Sequence, residues 1–199
     1  MKSISLSKLV AVSLGALIVM LAVVFTLRAQ TPTLNLKGGS KLVYTMQSAS
    51  VSEEAVVIVN TLTPTLSFKW KTPTNQFGKV IMNTEDFASG RKISSKLIED
   101  QTGVYGFFWI SKGMFGELVQ GKTQYYLNGS EKMSAVVRSG VEEMQVKVNG
   151  ELRTIQVVHA KSLTATGGED FLVLNDANNP LLIKMTTAQG SFTLKEITE

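Results

Sequence analysis

Asn149-Gly150 stands between Gln145-Val146-Lys147-Val148 and Leu152-Arg153-Thr154-Ile155-Gln156-Val157-Val158, and no other feature limits the fold of this chain as much. Both turn residues accept the positive φ angles of tight hairpin turns, so the pair predicts a β-hairpin. Its register stays open. A two-residue turn pairs Val146 with Arg153 and Met144 with Ile155, whereas a three-residue turn with a bulge pairs Val146 with Leu152 and sets Lys147 against Glu151.

The same grammar recurs along the chain. From Gln124 onward, the runs Tyr125 to Leu127, Ala135 to Val137, Met144 to Val148, Thr154 to Ala160, Phe171 to Leu174, Leu181 to Met185 and Ser191 to Ile197 are separated by Asn-Gly, Ser-Gly, Gly-Gly, Asn-Asn-Pro or Gln-Gly. Upstream, Lys41 to Gln47 sets Leu42, Tyr44 and Met46 on one face. Ala55 to Leu62 is a continuous valine-rich run, which suits a central strand or one covered on both sides. Leu66 to Lys71 alternates strictly, with Leu66, Phe68 and Trp70 against Ser67, Lys69 and Lys71, and Lys79 to Met82 is a further short strand. Val104 to Ile110 puts Tyr105, Phe107 and Trp109 on one face and Phe108 and Ile110 on the other.

Two short helices interrupt the strands. Thr84 can cap the first, with Glu85 and Asp86 at the positive end of its dipole and Gly90 limiting its length. Ser111 can cap the second, Lys112 to Leu118. Ile93, Leu97 and Ile98 fit either an amphipathic continuation or an edge strand. Short strands at intervals of about 8 to 12 residues, without βαβ units, predict an all-β fold: an antiparallel β-barrel or half-barrel of about a dozen strands with one or two short helices.

Residues 1–29 have the layout of an export signal: Lys2 and Lys8, an uncharged apolar run from Leu9 to Leu27, then Arg28-Ala29-Gln30. Two outcomes fit it, cleavage after Ala29 or retention as an N-terminal anchor, because the run approaches the roughly 20 residues that span a bilayer. Residues 30–40, with Thr-Pro and Gly-Gly, read as a tether, and 41–199 as a single antiparallel β domain. Either outcome predicts an exported protein of the periplasm or cell envelope, with membrane association only through residues 9–27 if they are kept.

Charge and residue types exclude several classes of function. Three of the 20 basic residues, Lys2, Lys8 and Arg28, lie in the leader, which leaves 17 against 16 acidic ones. With no run of five or six like charges, the chain carries neither a nucleic-acid footprint nor a polybasic membrane patch. There is no cysteine, so neither disulfides nor thiolate metal sites are available. His159 is the only histidine and no catalytic motif accompanies it, which predicts a non-catalytic protein without metal or cofactor. Glu142-Glu143, Glu169-Asp170 and Glu99-Asp100 read as solvated turns, since neighbours in a strand point to opposite faces. Asp176, Asn178 and Asn179 before Pro180 read as a turn rather than a calcium loop, and Asn128-Gly129-Ser130 as a second hairpin turn or a glycosylation sequon.

The aromatic residues form the one constellation that points to a ligand. Phe68, Trp70, Tyr105, Phe107, Trp109 and Phe115, with Tyr125 and Tyr126 beside them in the same set, fit either a packed core or the apolar face of an incompletely filled barrel. A leader, then strands interrupted by short helices, then a C-terminal meander ending in Phe171-Leu-Val-Leu-Asn-Asp-Ala-Asn-Asn-Pro180-Leu-Leu-Ile-Lys-Met resembles exported bacterial envelope proteins, particularly of Bacteroidetes type, and, more remotely, the half-barrels of the lipoprotein carrier and receptor pair LolA and LolB. That resemblance implies an apolar concave face that holds acyl chains, with Trp70, Phe107 and Trp109 on it. The carrier's basic residue has no counterpart in this sequence. The expectation is a lipid-like ligand in the half-barrel; the alternative is an interaction or scaffold module that meets an envelope protein through a sheet edge or apolar patch.

Overall fold

The computed structural model describes residues 34–48, 52–97, 100–102, 105–162 and 168–199, with 100–102 and 105–106 described by backbone alone. The leader, residues 30–33 and Glu99 therefore lie outside the described residues. Among the described residues thirteen strands follow one another: β1 (Lys41–Gln47), β2 (Ser52–Thr61), β3 (Leu66–Lys71), β4 (Phe77–Met82), β5 (Lys92–Ile93), β6 (Asp100–Thr102), β7 (Tyr105–Gly106), β8 (Lys122–Leu127), β9 (Met133–Val148), β10 (Glu151–Ser162), β11 (Asp170–Leu174), β12 (Leu182–Thr187) and β13 (Gly190–Thr198). Helix α1 (Thr84–Ser89) follows β4 and α2 (Lys112–Val119) follows β7. Among the described residues the fold is all-β with two short helices, as its turn grammar predicts.

All thirteen strands join one sheet in the order β6-β4-β3-β2-β1-β13-β12-β11-β10-β9-β8-β5-β7. Its long strands pair antiparallel, and parallel pairs occur at the two ends, β4 with β6 and β5 with β7 and β8. A further parallel contact, Glu196 with Lys147 and Ile197 with Val148, links β13 to β9 and closes β9 to β13 into a ring of five. The opposite ends of the order, β6 and β7, are separated by only two residues in the chain. Three Cα steps span at most about 11 Å, so the sheet curls until its ends nearly meet. This is the half-barrel.

Local choices follow from local chemistry. The hairpin uses the two-residue turn: Val148 pairs with Glu151, Val146 with Arg153 and Met144 with Ile155, with φ of 51° at Asn149 and 88° at Gly150. Its tip is tied to the C-terminal strand, because Asn149 N donates to Ile197 O at 2.8 Å and Glu199 N to Asn149 Oδ1 at 2.9 Å. Asn83, not Thr84, caps α1: its Oδ1 accepts from Asp86 N at 2.8 Å. Ser111 caps α2 through Met114 N.

Two expectations change, and one pair of alternatives is resolved. Ala135 to Val137 and Met144 to Val148 belong to one strand, β9, in which Ser139-Gly140 is a bulge opposite His159 and Ala160 rather than a turn. Residues 34–40 are docked rather than free: Leu34, Leu36 and Ser40 are buried, and Gly39 N donates to Val59 O. β2 is central but covered on one side only. Ala55, Val57 and Val59 face the core, while Ile58 on the other face is 40% exposed.

Candidate functional site

The concave side of the sheet is where the aromatic residues were expected to form a ligand face. β3 delivers Phe68 and Trp70 to it, and α2 delivers Phe115; all three are buried. Tyr105 lies in β7, where only backbone is described, so its side chain lies outside the described residues.

Phe107 to Ser111 does not behave as a two-faced strand. All five residues are buried, and the segment runs across the concave face to the start of β12. Ile110 N donates to Pro180 O at 3.2 Å, Leu182 N donates to Phe108 O at 2.7 Å, and Trp109 forms an isolated antiparallel bridge with Leu181. Trp109 is thus brought onto Phe68, and Phe107 onto Phe108 and Phe192, but as part of an internal plug.

The plug is fully engaged. Phe68 lies 5.1 Å from Trp109 and 5.9 Å from Phe108, centroid to centroid, and Phe108 stacks on Tyr44 at 4.2 Å. Phe192 of β13 meets Tyr44, Phe107 and Phe108 at 5.4–5.6 Å. Tyr44 Oη donates to Leu182 O at 2.9 Å, and burial holds its phenol well above the ordinary range, so it remains a donor. Tyr44 and Phe192 were missing from the expected aromatic set. Their signal was present in alternating strands, but which rings meet depends on β1, β12 and β13 being neighbours in space.

Asp176 to Leu181 is a turn, as its Asn and Asp content predicts. Asp176 Oδ1 accepts from Asn178 N at 2.9 Å, and Asn179 Oδ1 accepts the indole N–H of Trp109 at 2.6 Å in a buried setting. Asn179 therefore satisfies the one polar atom that Trp109 brings into the core. A cleft of about 510 Å³ opens beside this turn, lined by Leu34, Leu36 and Leu62 with Asn60, Asp176 and Asn179 among the polar contributors.

His159 has partners that the sequence hid. In the β9-β10-β11 region, Nδ1 contacts Glu142 Oε1 and Nε2 lies 3.1 Å from Asp170 Oδ1. Glu142 and Asp170 were read as solvated turn residues, yet the bulge at Ser139 and the pairing of His159 with Leu172 bring both to one ring. Both imidazole nitrogens are occupied, so neither is free for a nucleophile's proton or for a metal. Among the described residues no group of three His, Cys, Asp or Glu side chains could hold a metal ion.

One more charged cluster braces the helices. Arg91 pairs in a bidentate manner with Glu117 of α2 and donates to Gln124 O, while Thr123 Oγ1 donates to Glu117 at 2.9 Å. The Arg91 hydrogen bond is the main reason that the Glu117 carboxyl is held below the usual range. Asn128, in its positive-φ turn, accepts from Ser95 N and donates to Ser95 Oγ, which suits a hairpin turn.

No protein-family model, curated protein or solved structure matches this chain. The resemblance drawn from the leader, the order of strands and helices and the C-terminal meander therefore rests on the sequence alone.

Proposed function

We propose that this chain is a non-catalytic, exported interaction module of the cell envelope, which works through the outside of its half-barrel. The observation that carries this reading is the plug. Phe107, Phe108 and Trp109 occupy the concave face where a ligand would lie, in contact with Phe68, Tyr44 and Phe192. Three aromatic side chains bury roughly 450–750 Å². At about 25 cal/mol per Å², displacing them would cost on the order of 11–19 kcal/mol as an upper bound. That is as large as the whole stability of a typical domain, roughly 5–15 kcal/mol. An acyl chain would have to replace nearly all of it.

The second reading, carriage of a lipid-like molecule, is favoured by a different observation. The cleft beside Leu34, Leu36 and Leu62 has the size and mixed lining of a small-molecule site. A native mass spectrum of the exported protein before and after organic extraction separates the two. The interaction-module reading expects a bare polypeptide at its calculated mass. Extra mass removed by extraction would overturn it in favour of the carrier.

A further inference from the structure

We infer that the outer face of β1–β4 docks on the surface of a bilayer containing anionic phospholipid. This deepens the interaction-module reading and rests on it, since it names the partner of that outer surface.

Across the sheet, Lys41 pairs with Ile58, Ile58 with Lys69, Lys69 with Lys79, and Lys79 with Asp100. Two residues along, Val43 pairs with Val56, Val56 with Lys71, and Lys71 with Phe77. Strands about 4.8 Å apart and steps of about 3.4 Å per residue put four lysines in a patch of roughly 15 by 7 Å. In sequence they spread over 39 positions and form no run; folding assembles the run.

The lysines are exposed, and among the described residues none of the four has a carboxylate partner in an ion pair. Lys69 and Lys79 stand directly opposite each other, an arrangement that repels unless an anion relieves it. Two acidic neighbours in β2 are engaged elsewhere: Glu54 is taken by Lys195 at 2.6 Å, and Glu53 lies on the opposite face of β2 and accepts from Thr74.

Apolar residues interleave with the charges. Phe77, beside the β3–β4 turn and opposite Lys71, is 74% exposed. Ile58 sits between Lys41 and Lys69, in a strand whose valine-rich sequence fits cover on both faces. Lysines around an exposed aromatic ring and a half-open apolar strip suit an interface with negative headgroups above and acyl chain below. An acidic protein would satisfy the lysines but gives no reason for Phe77 to project beside them.

The test uses the full chain, reconstituted in vesicles of phosphatidylcholine alone or with phosphatidylglycerol. Lysine acylation by a water-soluble ester is then mapped by mass spectrometry. Lys69 and Lys71 should react at least about five-fold more slowly on the anionic vesicles, while Lys122 and Lys161 on other strands are unchanged; high salt should remove the protection. A Phe77→Trp variant should be quenched by brominated phosphatidylglycerol, and adding Lys69→Glu and Lys71→Glu should abolish that quenching. Equal labelling on both vesicle types, or protection that persists on neutral ones, overturns the proposal. A removable mass in the native spectrum would instead overturn the filled interior and leave the labelling result standing.

Discussion

The two faces of β1–β4 are built from alternating residues of the same four strands and have opposite fates. Inward, Tyr44, Val57, Phe68 and Trp70 are buried, with the Phe107–Ile110 plug packed on Tyr44 and Phe68. Outward, Ile58 and Phe77 stand in the open among lysines. A half-barrel that supplies its own occupant has little use for its concave side as a binding site, so the side left unfinished is the one to question. The comparison also separates what holds the fold together from what is free to meet a partner.

The sharpest way to break it is to remove one ring from each side. Phe108→Ala deletes the ring that touches Tyr44, Phe68, Phe107 and Phe192 and should cost about 3–5 kcal/mol, read as a melting temperature lowered by about 6–20 °C. Phe77→Ala should change stability by no more than about 0.5 kcal/mol in the same assay. Comparable losses at the two positions would mean that the outer face is also structural.

Gly190→Ala comes next. Gly190 opens β13 at a φ of 149°, and a Cβ there would lie 2.4 Å from the backbone oxygen of Gln47. The clash is with main chain and cannot be relieved by a rotamer, so a loss of about 1–3 kcal/mol in denaturant unfolding is expected. A neutral result would show that the β1–β13 seam tolerates displacement.

Tyr44→Phe keeps the ring and its stacking but removes the donor to Leu182 O, for an expected loss of about 1 kcal/mol. It distinguishes the hydrogen bond across the barrel from the packing around it. Glu117, whose pairing with Arg91 is partly exposed, carries less than the buried positions: Glu117→Gln should cost under about 1 kcal/mol. Because the folded carboxyl is held below its unfolded value, that contribution is present above about pH 4.3 and fades as pH falls through the folded value. Wild type and variant should therefore converge in acid.

Much of the architecture was legible because it is written locally. β1 begins and ends where Lys41 and Gln47 predict, Asn149-Gly150 makes its hairpin, and Ser111 caps its helix. The plug was not legible. Val104 to Ile110 has the alternation of a strand, and only the neighbourhood of Pro180, Leu181 and Leu182, some 70 residues away, turns it into a filling. His159, Glu142 and Asp170 were hidden for the same reason, since a bulge and two strand pairings bring them together. The lysine face is not legible in the sequence because its charge accumulates across the strands rather than along the chain.

Hydrogen exchange of the segment Phe107–Ser111 tests the central claim most directly. If the plug is part of the core, the Ile110 amide, which donates to Pro180 O, should exchange as slowly as the amides of Val157 and Val158 in the β9–β10 hairpin, and a fatty acid should not change its rate. Exchange as fast as that of an exposed turn, or a rate that shifts on adding fatty acid, would show a displaceable cover over a binding face and contradict the account.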